Sequence, residues 1–425
     1  MSDPSAYFLT EEQLRARFDA RVKEAVFGSY QPQENPALVL LGGQPAAGKS
    51  RAMAATVQRH GGTLVPLTGD ELRPFHPRYQ ELQSEDAQTR EAATAQFSGA
   101  MVRMSIDHAL AHDYGLLLEG IFRDPAMTIG TAERFAAADR PVSVVALAVR
   151  EERTRLDALD RFLDGGRWTP PELQDLAYGK VPQTVAAAEQ SPAVTSVVIT
   201  NRSGADLYTN ERGPDGRWPG GPGAVQAMET ERAQPMPAQE AASWLAKYHT
   251  VVVEMAARGE TNDKSRPVLR QVTRDAETVA AMASPDPRSP VRQQHEAVKP
   301  LLSILVEQPL TAAGPVPLPL QSTPPLTPQG RAETQRRDQL TPAARAAEDE
   351  LRSAFTDARH RHHGTTPTPA TPATPATGQQ SVANAARARS VTTPGGSAPA
   401  AGPGTPRAPG GHQPPGPEQP KGRGR

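Results

Sequence analysis

Gly43-Gln44-Pro45-Ala46-Ala47-Gly48-Lys49-Ser50 satisfies G-x-x-x-x-G-K-[ST] at every fixed position, a pattern whose chemistry is the gripping of a polyphosphate. Gly43 and Gly48 permit backbone conformations in which successive N–H groups converge on an anion. A helix starting where the loop ends would add the positive end of its dipole. Lys49 is placed to bridge the β- and γ-phosphates of ATP or GTP, and the Ser50 hydroxyl to ligate Mg²⁺. The ordinary alternative is a glycine-rich turn between a strand and a helix, so the neighbouring chemistry has to discriminate.

Three further features bear on it. Asp70, in Thr68-Gly69-Asp70-Glu71, offers a carboxylate that can accept a proton from an attacking hydroxyl, unless it only caps a helix. Glu119, in Leu118-Glu119-Gly120, suits a metal or a sugar hydroxyl. Arg161 and Arg167 flank a Gly-Gly turn, where arginines of a lid can close over a γ-phosphate and stabilise its charge in transit.

These residues need a scaffold that brings them to one edge, and the apolar pattern predicts it. Short apolar runs occur at 37–41, 63–67, 116–118, 142–149 and 194–200. Helical stretches lie between them at 50–59, 85–113, 126–139, 151–164 and 171–190. Such alternation predicts βαβ units in an α/β, P-loop NTPase-type open parallel sheet flanked by helices. Ligands bind there at the carboxyl ends of the strands, where the phosphate loop, Asp70 and Glu119 all fall. Ahead of the sheet, Thr10 to Gln13 fits a capping box, followed by Leu14, Phe18, Val22 and Phe27 at near-helical spacing. A turn region near 213–223 precedes a last helical stretch at 237–258.

Composition bounds the rest. The 425 residues include 44 prolines and no cysteine, and aromatics make up 4%. Disulfides, thiolate metal sites and cysteine nucleophiles are excluded, in keeping with a reducing compartment. A formal net charge of −1 gives no global reason to expect nucleic acid or an anionic membrane as partner. The polar N-terminus lacks a secretory pattern, and no run approaches a membrane span, so a cytoplasmic protein is the expectation. Beyond Tyr248 the only aromatic is Phe355, which argues against a second large core. The domain division read from the sequence is therefore a kinase-type domain at 1–260, with its sheet core at about 37–210, and a largely disordered Pro/Ala/Thr/Gly-rich tail at 261–425. Transient helix is expected at 291–308 and 341–361. His360, His362 and His363 read as an incidental histidine patch rather than a metal site.

Taken in order, the motifs resemble the zeta toxin family of P-loop kinases. The resemblance is carried by GGQPAAGKS at 42–50, GDELRPFHPRY at 69–79, LEG at 118–120, DRFLDGGRWTP at 160–170 and NRSGADLY at 201–208. The spacing from Asp70 to His76-Pro77 is its most specific element. It implies kinases of toxin–antitoxin systems that phosphorylate the 3′-hydroxyl of the amino sugar of UDP-N-acetylglucosamine and so starve peptidoglycan synthesis. By the same resemblance Lys49 is the P-loop lysine and Asp70 the aspartate that deprotonates the sugar hydroxyl. Glu119 falls on a substrate-binding glutamate, Arg161 and Arg167 on arginines that contact the nucleotide phosphates, and Arg123 near a sugar-nucleotide contact. A small helical antitoxin that occludes the nucleotide site is the implied partner.

Two departures leave the acceptor open. The pattern around Trp168 and the Asp164-Gly165-Gly166 turn is only approximate, and residues 121–140 match weakly. A kinase of another small-molecule or protein acceptor therefore stands beside the sugar-nucleotide reading. So does a non-catalytic nucleotide-dependent binding module whose tail recruits partners, although such a module has no need of Asp70. The N-terminal helix is read as a packing element of the sheet and not as an inhibitor.

Overall fold

The structure, a computed structural model, describes residues 3–85, 87–165, 168–307, 336–337 and 339–363. The chain enters through α1 (Glu11–Arg17), a π-helical turn (Phe18–Val22) and α2 (Lys23–Phe27). The expected capping box is present: the Gln13 N–H donates to Thr10 Oγ1 and the Thr10 N–H to Gln13 Oε1. Leu14, Phe18, Val22 and Phe27 are all buried in one cluster. Their spacing of four, four and five residues is longer than a helical repeat, and the π turn absorbs the excess so that they share a face.

The sheet follows. β1 (Leu38–Gly42) leads into α3 (Lys49–Arg59), and β2 (Val65–Thr68) leads into α4 (Gly69–Leu72), α5 (Tyr79–Ser84) and α6 (Ala87–Ala111). β3 (Leu116–Gly120) precedes α7 (Pro125–Ala136), and β4 (Val142–Leu147) precedes α8 (Glu151–Gly165) and α9 (Pro171–Gln190). β5 (Ser196–Thr200) and β6 (Asp206–Glu211) complete it. The strand order is β2-β3-β1-β4-β5-β6, with the first five parallel and β6 antiparallel to β5.

β1 is central and buried on both faces, as a continuous apolar run requires. Leu38 and Leu40 enter one apolar cluster and Val39 and Leu41 another, the two-residue alternation of a strand separating the two sides. β6 was not foreseen in the sequence. It returns through a tight turn in which Asn201 Oδ1 accepts from the Ser203 and Ala205 N–H groups and Gly204 adopts φ +88°.

After α10 (Ala224–Ala233), α11 (Ala238–Ala257), α12 (Arg266–Ala283), α13 (Pro290–Glu307) and α14 (Pro342–His363) correct the expectation of a single core and only transient helix beyond residue 261. They bury Val252, Leu269, Val272, Leu302 and Phe355 in a cluster that also takes Leu156 and Leu159 of α8. The aromatic count was misleading, because stripes such as Val268, Leu269, Val272, Ala276, Val279 and Ala280 recur at helical spacing and close a core with aliphatic groups alone. A buried ion pair, Arg155 to Asp275 at 3.0 Å, ties α8 to α12. The histidine patch has a structural contact: His362 Nε2 lies 3.1 Å from Glu254 Oε2 of α11, and Arg361 reaches the same carboxylate. The remainder of the expected tail, at 308–335 and 364–425, lies outside the described residues. Among the described residues no helix is long and apolar enough to cross a membrane.

Candidate active site

β1 ends at Gly42, and the loop that follows winds through two left-handed residues, Ala46 at φ +59° and Gly48 at φ +93°. Gly48 is the N-cap of α3 and provides no side-chain cap, so the first N–H groups of the helix are left for an anion. Gln44 is buried, and its Nε2 donates to the Val149 carbonyl at 2.8 Å, pinning the loop to the end of β4. Pro45 and Ala47 are buried in the same loop. Gly42 itself admits no side chain, because an added Cβ would lie 2.2 Å from the ring of Phe122. The loop, its uncapped helix and its lysine thus fit a polyphosphate.

Lys49 Nζ donates to the carbonyls of Gly43 at 2.9 Å and Gln44 at 3.1 Å, and lies 3.4 Å from Glu119 Oε1. Burial pushes its pKa below the ordinary lysine value; the Arg161 charge adds to that, while the Glu119 and Asp70 carboxylates oppose it. These four groups, drawn from α3, β3, α4 and α8, therefore share one field. The sheet register explains the Glu119 placement, since Glu119 stands opposite Leu41 of β1 and Thr68 of β2. The carboxylate projects at the strand edge between the phosphate loop and the Asp70 turn.

Asp70 lies in the first turn of α4 and pairs with Arg73 at 3.3 Å. Arg73 continues to Thr94 Oγ1 and Glu91 Oε1 on α6, and Ser98 Oγ of α6 donates to the Gly69 carbonyl at 2.6 Å. The Asp70 turn is therefore fastened to α6 on both sides. His76 is buried and anchors the stretch after it: Arg78 N–H donates to its Nδ1, leaving Nε2 to donate to the Tyr7 carbonyl at 3.1 Å. The specific spacing from Asp70 to His76 thus has a structural cause.

Arg161, near the end of α8, donates to Thr169 Oγ1 at 3.1 Å, and Trp168 meets Phe162 edge to face. Arg167 lies outside the described residues. Arg123 is exposed in the turn after β3, next to Phe122, whose backbone is left-handed at φ +52° and whose carbonyl accepts from Thr184 Oγ1. Ser50 is exposed at the second position of α3. Among the described residues no three metal-ligating side chains converge, so a divalent cation here would rely on Ser50 and on phosphate oxygens.

Sequence reasoning missed a charged cluster beside the loop. Arg202, just after β5, packs on Gly48, where an added Cβ would lie 3.1 Å from its Cγ. Its guanidinium pairs with Asp157 of α8, which also receives Lys247 of α11 at 3.1 Å. The only signal for it was NRSGADLY at 201–208, read as part of a resemblance and not as a contact.

The fold and the loop are those of a P-loop-type α/β domain. Residues 20–213 match the family model described as zeta toxin. "Toxin zeta" of Streptococcus pyogenes is 23% identical over 212 residues, covering 48% of this chain and 74% of that protein. "Toxin PezT" of Streptococcus pneumoniae serotype 4 is 26% identical over 185 residues, covering 42% and 73%. A solved chain from the PezAT chromosomal toxin–antitoxin system of S. pneumoniae aligns at a TM-score of 0.43 and 22% identity, over 49% of this chain and 83% of that one. Over residues 20–213 the chain is similar to the zeta toxin family.

Proposed function

We propose that the protein is a kinase that transfers the γ-phosphoryl group of ATP or GTP to a hydroxyl of a sugar nucleotide, the 3′-hydroxyl of UDP-N-acetylglucosamine, and acts as a growth-inhibiting toxin in the cytoplasm. The observation that carries this reading is the convergence of Lys49, Glu119, Asp70 and Arg161 on one edge of the sheet. A phosphate loop alone needs only Lys49 and the α3 N-terminus. A carboxylate 3.4 Å from the lysine and a second at the end of the neighbouring strand suit a reaction in which a proton leaves one oxygen while charge grows on others.

In this mechanism the loop amides and Lys49 hold the β- and γ-phosphates. Lys49 exchanges its carbonyl partners Gly43 and Gln44 for phosphate oxygens. Ser50 would hold Mg²⁺, which would neutralise phosphate charge when bound. Glu119 accepts a hydrogen bond from a hydroxyl of the sugar, and Arg123 would contact the diphosphate of the acceptor. Asp70 takes the proton from the attacking hydroxyl as its oxygen bonds to the γ-phosphorus and the bond to the bridging β,γ-oxygen breaks. Arg161, with Arg167, stabilises the transferring group, and the nucleoside diphosphate leaves. The similarity of residues 20–213 to zeta toxins supports a small helical antitoxin as the restraining partner.

The direct test is the full-length protein with ATP, Mg²⁺ and UDP-N-acetylglucosamine, read by mass spectrometry for a sugar nucleotide heavier by one phosphoryl group. ATP consumption with no such product would sink the acceptor assignment. A metabolite extract with labelled ATP then identifies the hydroxyl that is used.

A further inference from the structure

α11 lies beyond the residues that match the family model, yet it is fastened along α8, the helix that presents Arg161. Trp244 Nε1 donates to the Glu152 carbonyl at 3.1 Å, Glu240 pairs with Arg153, and Arg258 donates to the Leu163 carbonyl at 2.6 Å. Between these ties stands Lys247, whose Nζ lies 3.1 Å from Asp157 and 2.7 Å from Asp160. The Asp157 side chain is only 13% exposed and is shared, one oxygen taking Lys247 and the other the Arg202 guanidinium. Arg202 in turn lies against Gly48, the left-handed residue that opens α3.

We propose that Lys247 is a positioning residue for the phosphate loop, acting through Asp157 on Arg202, so that the added helical layer forms part of the nucleotide site. Arg153 is close enough to feel the charges of Arg202 and Arg51. Left alone, such a cluster beside a polyphosphate site would spread apart or fold onto the nearest carboxylate. Asp157 draws Arg202 toward α8, and Lys247 balances the second Asp157 oxygen and Asp160, which keeps the aspartate from swinging. The result is a guanidinium held at the wall of the loop, where its charge adds to that of Lys49 for a bound polyphosphate. Arg202 is the group that meets the nucleotide, and Lys247 sets its place.

This inference rests on the nucleotide-binding reading, and its test separates the two. ATP affinity is measured by calorimetry on the full-length wild type, Lys247→Met, Lys247→Arg, Arg202→Met and the Lys247→Met/Arg202→Met double variant, with thermal unfolding in parallel. Lys247→Met is expected to raise the ATP Kd about threefold to tenfold, the size of coupling found between residues of one charged network. Lys247→Arg restores most of the affinity. The double variant binds no more weakly than Arg202→Met, because Lys247 acts only through that arginine. Unchanged affinity in Lys247→Met, or losses that multiply in the double variant, would overturn the relay while leaving the phosphate loop intact. Affinity that falls only in step with lost thermal stability, with no rescue by arginine, would reduce Lys247 to a packing contact. A wild-type chain that binds no ATP would overturn the nucleotide reading and the relay together.

Discussion

Replacing Gly42 by alanine tests how the phosphate loop is joined to the turn that carries Arg123. Gly42 is the last residue of β1, opposite Gly120 of β3 and Ala146 of β4. A Cβ there would stand 2.2 Å from Phe122 Cδ2 and 2.3 Å from Cε2 and Cγ, far inside van der Waals contact. The ring has little freedom to retreat, since Phe122 is 6% exposed, left-handed in its backbone and bonded through its carbonyl to Thr184. Overpacking of this kind costs about 1–3 kcal/mol, and the depth of overlap points to the upper end. Phe122→Ala alone removes a buried ring and costs about 3–5 kcal/mol. If the two sites were independent, the double variant would lose about 4–8 kcal/mol. If the ring is the whole obstacle, the double variant loses no more than Phe122→Ala alone. Urea unfolding followed by circular dichroism reads the four stabilities. Additive losses, or a Gly42→Ala variant as stable as wild type, would refute the argument. ATP binding by Gly42→Ala should also weaken, because Gly43, whose carbonyl receives Lys49, moves with the strand end.

Asp70→Asn should lower the phosphoryl transfer rate about 10²–10⁴-fold while leaving the ATP Kd near wild type; a variant that keeps its rate would remove Asp70 as the base. ATP affinity should fall as pH rises through the Lys49 pKa, which burial places below the ordinary lysine value of 10.5, because the neutral amine no longer attracts phosphate. Lys49→Arg keeps its charge over that range, so an equally steep alkaline loss in that variant would point to another group. In the helical layer, His249 and His295 stack in parallel with nitrogens 3.2 Å apart, beside Tyr248 and facing Glu277, which also receives Lys299. Burial lowers the His249 pKa to about 3, so below the ordinary value of 6.5 the unfolded chain binds a proton that the folded one refuses. Stability is full above about pH 6.5 and should drop by on the order of a few kcal/mol as pH falls toward 3. Urea unfolding at neutral pH and at pH 4.5 checks it, with His249→Phe expected to flatten the difference.

Legibility followed the range of the interactions. The capping box at Thr10 and Gln13, the apolar run before Gly42 and the strand-to-helix alternation are set by near neighbours, and each was readable. Asp70 and Glu119 could be placed at the carboxyl edge of the sheet because each lies at the end of a strand. The π turn that aligns Leu14, Phe18, Val22 and Phe27 could be read only as an uneven spacing. The β6 return depended on the Asn201 side chain bonding its own turn, a competition between local backbone bonds that periodicity does not reveal. The helical layer escapes a reading by aromatic content, since Val, Leu and Ala at helical spacing close a core equally well.

By itself the sequence determined the phosphate loop, the order of strands and helices around it and the residue types that meet at its edge, since local backbone geometry and short-range patterning specify these. Only the tertiary structure decided that Glu119 pairs with Lys49, that Arg202 rests on Gly48, and that Lys247, ninety residues from Asp157, shares that aspartate with Arg202. Those contacts join side chains far apart in the chain, and their partners are chosen by packing and by the balance of buried charge, which no stretch of sequence contains alone.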